Sequence, residues 1–149
     1  MRILITDERP APEGGAAGAD GAGAVIKKMA RVVLEELGLD DSELSLLLTD
    51  NDGIRVLNRE FRRIDRPTDV LSFPMGEGGM LGDVVISIEK ARAQADEFGV
   101  TLAEELARLL VHGILHLVGH DHTAGGTQAR RMKEVERELL GVLREKGCI

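Results

Sequence analysis

Apolar residues recur along the chain with two spacings, and these spacings distinguish the helical segments from the strands. Helices place apolar side chains at intervals of three and four residues, whereas buried strands are short apolar runs bounded by turn residues. On these criteria the sequence predicts strands over 2–6, 43–49, 70–73 and 83–87. The same criteria predict helices over 25–37, 50–61, 87–98, 102–118 and 128–146.

This order of elements predicts an α+β fold in a single domain, 1–149, with helices packed on a small mixed sheet of about four strands. The helix over 102–118 is apolar almost all round, so we expect it to be the central, buried helix. The Val-Val-Ile run of the last strand indicates burial on both of its faces. Ser87 and the Thr101/Glu104 pair are predicted to cap the helices that follow them.

Residues 11–24 interrupt this pattern, because they consist almost entirely of alanine and glycine. Such a segment buries little surface, and we expect a flexible surface loop. It contains neither lysine nor serine, so it lacks the residues with which a glycine-rich loop binds phosphate.

Composition places the chain in a reducing, aqueous compartment. The 149 residues are 43% hydrophobic but contain no tryptophan or tyrosine, so the core is expected to be aliphatic. The single cysteine, Cys148, excludes an internal disulfide bond. The sequence has neither an apolar run of membrane-spanning length nor a signal-peptide core. A soluble, cytoplasmic protein without membrane contacts is therefore expected.

The four histidines of the chain all lie within residues 112–122, HGILHLVGHDH. His112 and His116 are four residues apart, so on a helix they project from one face. Gly119 can end that helix and turn the chain, which would return His122 to the same point. Three imidazoles with a fourth position left open are the ligand set of a catalytic zinc. His120, two residues before His122, is expected to point away from the metal.

Two further features bear on the chemistry of this metal site. Zinc peptidases with paired histidines carry a glutamate directly after the first histidine, where this chain has Gly113, so peptide hydrolysis is disfavoured. Residues 55–66 carry five arginines against one glutamate and one aspartate, in a chain whose net charge is -7. A local cationic patch of this kind suits phosphate, although it could equally be a solvated helix face.

Three segments together resemble the bacterial YbeY family of endoribonucleases and ribosomal RNA maturation factors. They are NREFRRIDRPTDVLSFP at 58–74, LGDVVIS at 81–87 and the histidine segment. The resemblance implies one zinc ion per chain on His112, His116 and His122, and a functional arginine at Arg62. It also implies maturation of the 3′ end of small-subunit ribosomal RNA, a role in ribosome quality control, and contacts with the small subunit and its assembly proteins rather than with DNA.

The chain departs from the family pattern at three places, none of them a predicted ligand. His120 stands where the family usually has tyrosine, which adds a competing imidazole. Ile64 stands where lysine is frequent, and the acidic run that often follows the last histidine is replaced by TAGGTQ.

Several roles stay open on the sequence alone. Arg62 would clamp the phosphate, or form an ordinary ion pair with Asp65. Asp121 and Glu105 would accept hydrogen bonds from the ligand imidazoles, or be surface carboxylates. Asp69, Ser72 and Asp83 are expected to shape the backbone rather than act on substrate.

The reaction mechanism and the class of protein also stay open. The attacking nucleophile would be a metal-activated hydroxide or the RNA's own 2′-hydroxyl. The alternative to an enzyme is a ribosome assembly factor whose zinc is purely structural, and a metalloprotease-like hydrolase is the least favoured interpretation.

Overall fold

The computed structural model describes residues 1–11, 18, 20–119 and 126–149. Within these residues the strands are β1 (Arg2–Asp7), β2 (Glu43–Thr49), β3 (Val70–Glu77) and β4 (Met80–Ser87). The helices are α1 (Ala22–Glu36), α2 (Asn51–Arg62), α3 (Ile88–Phe98), α4 (Leu102–Leu117) and α5 (Gly126–Glu145). None of the helices in this described part of the chain is long and apolar enough to cross a membrane.

The strands form one mixed sheet in the order β1-β2-β4-β3. β1, β2 and β4 are parallel, and β3 pairs with β4 in the antiparallel sense at one edge. The predicted α+β fold with a mixed four-stranded sheet is therefore confirmed.

The two faces of the sheet are covered unequally. The main core lies on one face, where α1, α3 and α4 pack against the sheet and α5 packs on α1 and α4. On the other face α2 covers a small second cluster built around Ile54, Leu71 and Val85. Val84, Val85 and Ile86 of β4 are buried on alternating faces, as the apolar run predicted.

Helix α4 occupies the centre of the main core, as predicted, and its buried residues run from Glu105 to Leu117. It begins with the predicted capping box: Thr101 Oγ1 accepts from Glu104 N–H, and the Glu104 carboxylate accepts from Thr101 N–H. Ser87 caps α3 by accepting from Lys90 N–H at 3.1 Å, also as predicted. The capping box thus fixes the start of the helix that carries the histidines, and the Ser87 cap fixes the start of its neighbour α3.

Three predicted boundaries are wrong, and one of them is the start of β4, which lies at Met80 and not at residue 83. The strand expected to end before Pro74 continues to Glu77 and forms a hairpin with β4, because β3 is an edge strand, where proline is tolerated. Helix α1 begins at Ala22, inside the predicted loop 11–24, because Ala22 is buried in the main core. Most of that loop lies outside the described residues.

Candidate active site

The first two histidines of the segment share one face of α4, as their spacing predicted. Their Nε2 atoms are 3.0 Å apart, and their ring centroids are 4.5 Å apart. Two ligands of a tetrahedral zinc, each at about 2.0–2.1 Å, would lie about 3.3 Å from one another. His112 and His116 thus present two ring nitrogens to one point, at nearly the separation that a shared metal ion requires.

Gly113 explains why this face of α4 lies so close to the sheet. A Cβ atom at this position would be 2.7 Å from Val84 Cγ1 and 3.3 Å from Ser72 Oγ. The same Ser72 hydroxyl donates a hydrogen bond of 2.9 Å to the Gly113 carbonyl oxygen. A glutamate after the first histidine, as in zinc peptidases, does not fit here without separating helix and sheet. The packing therefore agrees with the argument against peptide hydrolysis.

Glu136 of α5 was not predicted as a site residue, yet it contacts the first histidine. Its Oε1 atom lies 3.1 Å from His112 Nδ1. Because a carboxylate only accepts hydrogen bonds, Nδ1 is the donor in this contact, and an imidazole with its one proton on Nδ1 has its lone pair on Nε2. Ligand histidines are commonly oriented by a carboxylate in this way. One sequence feature hints at the role: α5, which carries Glu136, comes soon after the histidine segment in the chain.

Arg62 reaches the same place from the opposite face of the sheet. It is the last residue of α2, and its Nη2 atom donates to the Ser72 carbonyl oxygen at 2.9 Å. Its guanidinium carbon lies 5.8 Å from the centroid of the Phe73 ring. The alternative ion pair with Asp65 is not formed, because Asp65 pairs with Arg55 at 2.8 Å. The guanidinium therefore wraps around the edge strand β3.

These side chains line one cleft with a volume of about 210 Å³. Its walls are formed by β3, α4 and the end of α2, and its lining residues are Arg62, Val70, Leu71, Ser72, Pro74, His112 and His116. The cleft is small and open, and it joins two imidazoles to one guanidinium. That combination suits an anionic group, such as a phosphate, held beside a metal ion.

The third predicted ligand, His122, lies outside the described residues, as do His120 and Asp121. Among the described residues, no three His, Cys, Asp or Glu side chains converge in a way that could hold a metal ion. Two imidazole nitrogens at this spacing are nevertheless part of a donor set that zinc favours. The two predicted ligands that the structure describes, His112 and His116, therefore fit a zinc ion.

Glu105 is neither a surface carboxylate nor a partner of His112, so both interpretations are corrected. It is 1% exposed, and it accepts from Arg108 Nε at 2.6 Å and from Gln94 Nε2 at 2.6 Å. The reason is the helical rise: seven residues separate it from His112, or about 10 Å along the axis. The Glu105 carboxylate in turn raises the pKa of Arg108.

Asp69 and Ser72 shape the backbone, as the sequence predicted. The Asp69 carboxylate accepts from Val70 N–H at 2.8 Å, and its carbonyl oxygen accepts from Ser87 N–H at 3.0 Å. These bonds fix the start of β3 against the end of β4. The strand that lines the cleft is thereby held at its start by Asp69, and two residues further on by the bond from Ser72 to α4.

Comparison with known proteins gives concordant matches over most of the chain. A family model described as Endoribonuclease YbeY matches residues 18–144. The chain is 52% identical to Endoribonuclease YbeY of Aquifex aeolicus over 122 residues, which cover 79% of this chain and 81% of the relative. It is 40% identical to the Heliobacterium modesticaldum protein of the same name, over 94% of each.

A solved structure is also similar. The solution structure of TM1509 from Thermotoga maritima superposes with a TM-score of 0.64 at 31% sequence identity. The match covers 96% of this chain and 90% of that protein. The similarity therefore extends over the whole fold and is not confined to the histidine segment.

Proposed function

The chain belongs to the YbeY family of endoribonucleases, and from this membership we propose that it is a zinc-dependent enzyme that cleaves single-stranded RNA. Its substrate would be the 3′ region of small-subunit ribosomal RNA, whose maturation and quality control it would serve. The observation that carries the proposal is the cleft in which the Nε2 atoms of His112 and His116 converge beside Arg62.

We propose one zinc ion per chain, held by His112, His116 and His122. Zinc, when bound, polarises a phosphoryl oxygen and lowers the pKa of a coordinated water toward about 7. Glu136 would hold the His112 ring in the tautomer that leaves Nε2 as ligand atom. Gly113 and Ser72 would keep α4 at the depth in the fold that this geometry needs.

Arg62 would hold the scissile phosphate and stabilise the negative charge that develops as the bond breaks. Its bond to the Ser72 carbonyl oxygen uses one of the five N–H donors of the guanidinium. The contact with the Phe73 ring restricts the side chain further. A donor fixed in advance in this way stabilises a transition state without having to reorganise during the reaction.

Binding would rely on a local surface, because a net charge of -7 opposes general affinity for RNA. Arg59, Arg63 and Arg66 are exposed near the end of α2 that carries Arg62. We propose that they contact phosphates on either side of the cleavage site. The expected compartment is the cytoplasm, and the expected partners are the small ribosomal subunit and its assembly proteins.

The decisive experiment is single-turnover cleavage of a single-stranded fragment of small-subunit ribosomal RNA by the zinc-loaded protein. At saturating RNA, Arg62→Ala should cut about 10²-fold more slowly, the effect of losing one donor to the developing charge. His116→Ala should remove both zinc and cleavage. Arg59→Ala is the matched control: it removes the same charge from the same helix but leaves the residues that line the cleft intact.

The same experiment distinguishes the proposed enzyme from a ribosome assembly factor with a structural zinc. Arg59→Ala should weaken affinity and flatten its salt dependence while the saturated rate stays at the wild-type value. If Arg62→Ala cleaves at the wild-type rate once saturated, the proposed role of Arg62 is wrong. If the zinc-loaded wild type cleaves no single-stranded RNA at all, a structural zinc in a ribosome assembly factor becomes the better interpretation.

A further inference from the structure

The most exposed large apolar side chain among the described residues is an aromatic ring. The chain has three phenylalanines, and it has no tyrosine or tryptophan. Phe61 is 63% exposed, although it lies on a helix that packs on the sheet. A large apolar ring is more stable when buried, so an exposed one can mark a binding site. Its ring centroid lies 5.3 Å from that of Phe73, at an interplanar angle of 62°.

This aromatic pair lies next to the cleft, on the other side of the edge strand. Successive residues of β3 point to opposite faces, so Ser72 faces α4 whereas Phe73 faces α2. Arg62 joins the two faces, because its guanidinium lines the cleft and also lies over the Phe73 ring. The exposed ring of Phe61 therefore contacts Phe73, and Phe73 contacts Arg62, the residue that would hold the scissile phosphate.

We propose that Phe61 and Phe73 form a stacking subsite for a nucleobase of single-stranded RNA next to the scissile phosphate. The inference rests on the proposed function, and it adds a base-binding surface to the phosphate-binding cleft. Unpaired bases stack on aromatic rings, and positive charge beside those rings follows the backbone. An RNA strand that crosses the β3 edge would thus place a phosphate at Arg62 and an adjacent base on Phe61.

The charges around the aromatic pair limit the path that an RNA strand can take across the surface. The groove beside α2 is lined by both phenylalanines together with the carboxylates of Glu8 and Asp83, and Asp83 pairs directly with Phe73 across the β3–β4 hairpin. These carboxylates repel a phosphate backbone, whereas the Arg62 guanidinium, which lies 5.8 Å from the centroid of the Phe73 ring, attracts it. The RNA should therefore cross the β3 edge between Arg62 and the exposed Phe61 ring, and it should not enter the groove. Since every base has a π face, the subsite should bind bases with little sequence preference.

Fluorescence offers a direct test, because the native chain contains no tryptophan. Phe61→Trp makes residue 61 the sole indole, and binding of a short single-stranded RNA should quench its emission. Phe98→Trp is the matched control, since Phe98 is 55% exposed and also lies beside an arginine, Arg108. The control should bind the same RNA without quenching. Equal quenching at both positions, or at neither, would overturn the subsite.

Affinity and position are tested with Phe61→Leu and Phe61→Tyr on full-length, zinc-loaded protein. Leucine keeps an apolar side chain but no π face, so RNA affinity should fall on the order of 10-fold, whereas tyrosine should preserve it. An oligonucleotide with one abasic nucleotide beside the cleavage site should bind wild type and Phe61→Leu equally.

The outcomes separate this inference from the proposed function. If the wild type binds and cleaves RNA and Phe61→Leu matches it, only the stacking subsite is wrong. If the wild type binds no RNA, both the subsite and the proposed function are wrong.

Discussion

At Gly113 the helix that carries the histidines approaches the sheet so closely that one methyl group does not fit. Gly113→Ala should lower the free energy of unfolding by about 1–2 kcal/mol, because the clash with Val84 outweighs the gain in helix propensity. Gly141→Ala is the matched control, since that helical position has open space around it. The control should raise stability by about 0.5–1 kcal/mol. Urea denaturation of both variants measures the difference, and stabilisation by both would show that the helix moves without cost.

Glu136 allows a test of how the first histidine is held. Glu136→Gln should weaken zinc binding about 10- to 100-fold, because the His112 ring loses the carboxylate that orients it. Competition against a chromophoric chelator measures the affinity. Glu138→Gln removes the same charge from an exposed position of the same helix and should bind zinc like the wild type. Equal loss in both variants would point to a general charge effect.

Individual residues differ in how far the sequence could predict them. The histidine pair followed from local spacing, because a helix brings residues four apart onto one face whatever surrounds it. The contact between Glu136 and His112 spans 24 positions and depends on how α5 docks, which no local pattern reveals. The alternative ion pair between Arg62 and Asp65 is wrong for a related reason. Several arginines lie close to Asp65 in the sequence, and only the folded end of α2 shows that Arg55 is the one that pairs with it.

Among the elements, β3 shows where the local rules fail. Proline normally ends a strand, and the pattern accordingly stopped before Pro74. Pro74 instead pairs with Gly82, whose φ of 137° and lack of a side chain allow the Phe73 carbonyl oxygen to approach closely. An edge position has no second neighbour to require the missing N–H. The position of β3 at the edge depends on the order of all four strands, so the sequence of β3 alone does not predict it.

The start of α1 is tied to two other elements by one carboxylate. Asp20 accepts from Ala22 N–H at 3.1 Å, from Arg9 after β1 at 2.6 Å, and from Arg92 of α3 at 2.6 Å. Asp20→Asn should lower the free energy of unfolding by about 1 kcal/mol, since a hydrogen bond to the first N–H of α1 and two partly exposed ion pairs are weakened. Asp65→Asn is the control, because its ion pair is exposed and should contribute nothing measurable.

The same cluster predicts a dependence of stability on pH. Hydrogen bonds from Arg9 lower the pKa of both Asp7 and Asp20 below the ordinary value of 3.8. Their contribution is therefore complete above that value and is lost as the pH falls below it, through the lowered pKa values. Wild-type protein should lose stability between pH 4 and more acidic solution faster than Asp20→Asn. Parallel pH profiles of the two proteins would contradict this assignment.

For the whole molecule, the class and the central helix could be predicted because they depend on composition and apolar pattern. Helix α4 is apolar nearly all round, and such a helix has few stable places except the middle of a core. The unequal cover of the sheet could not be predicted, because it depends on packing that joins distant segments. That inequality is what exposes the groove beside α2 and lets Arg62 reach the cleft from the far side.

Zinc binding should stabilise the whole fold, because the site joins the central helix to the residues that follow it. A ligand that binds only the native state adds about 2.7 kcal/mol when its concentration is 100 times the dissociation constant. For a chain of this size, each kcal/mol shifts Tm by about 2–4 °C. Removing zinc with a strong chelator should therefore lower Tm by about 5–10 °C, and added zinc should restore it.

His116→Ala provides the internal control for that measurement. It removes one of the two converging Nε2 atoms, so its melting temperature should not respond to the chelator. Differential scanning calorimetry of both proteins, with and without chelator, distinguishes loss of bound zinc from a direct effect of the chelator on the fold. Superimposable wild-type curves would mean that the native state gains no stability from zinc, whereas an equal shift in both proteins would mean that the metal stabilising the fold lies elsewhere. A shift confined to the wild type would assign the stabilising metal to the face of α4 that the histidine spacing predicted.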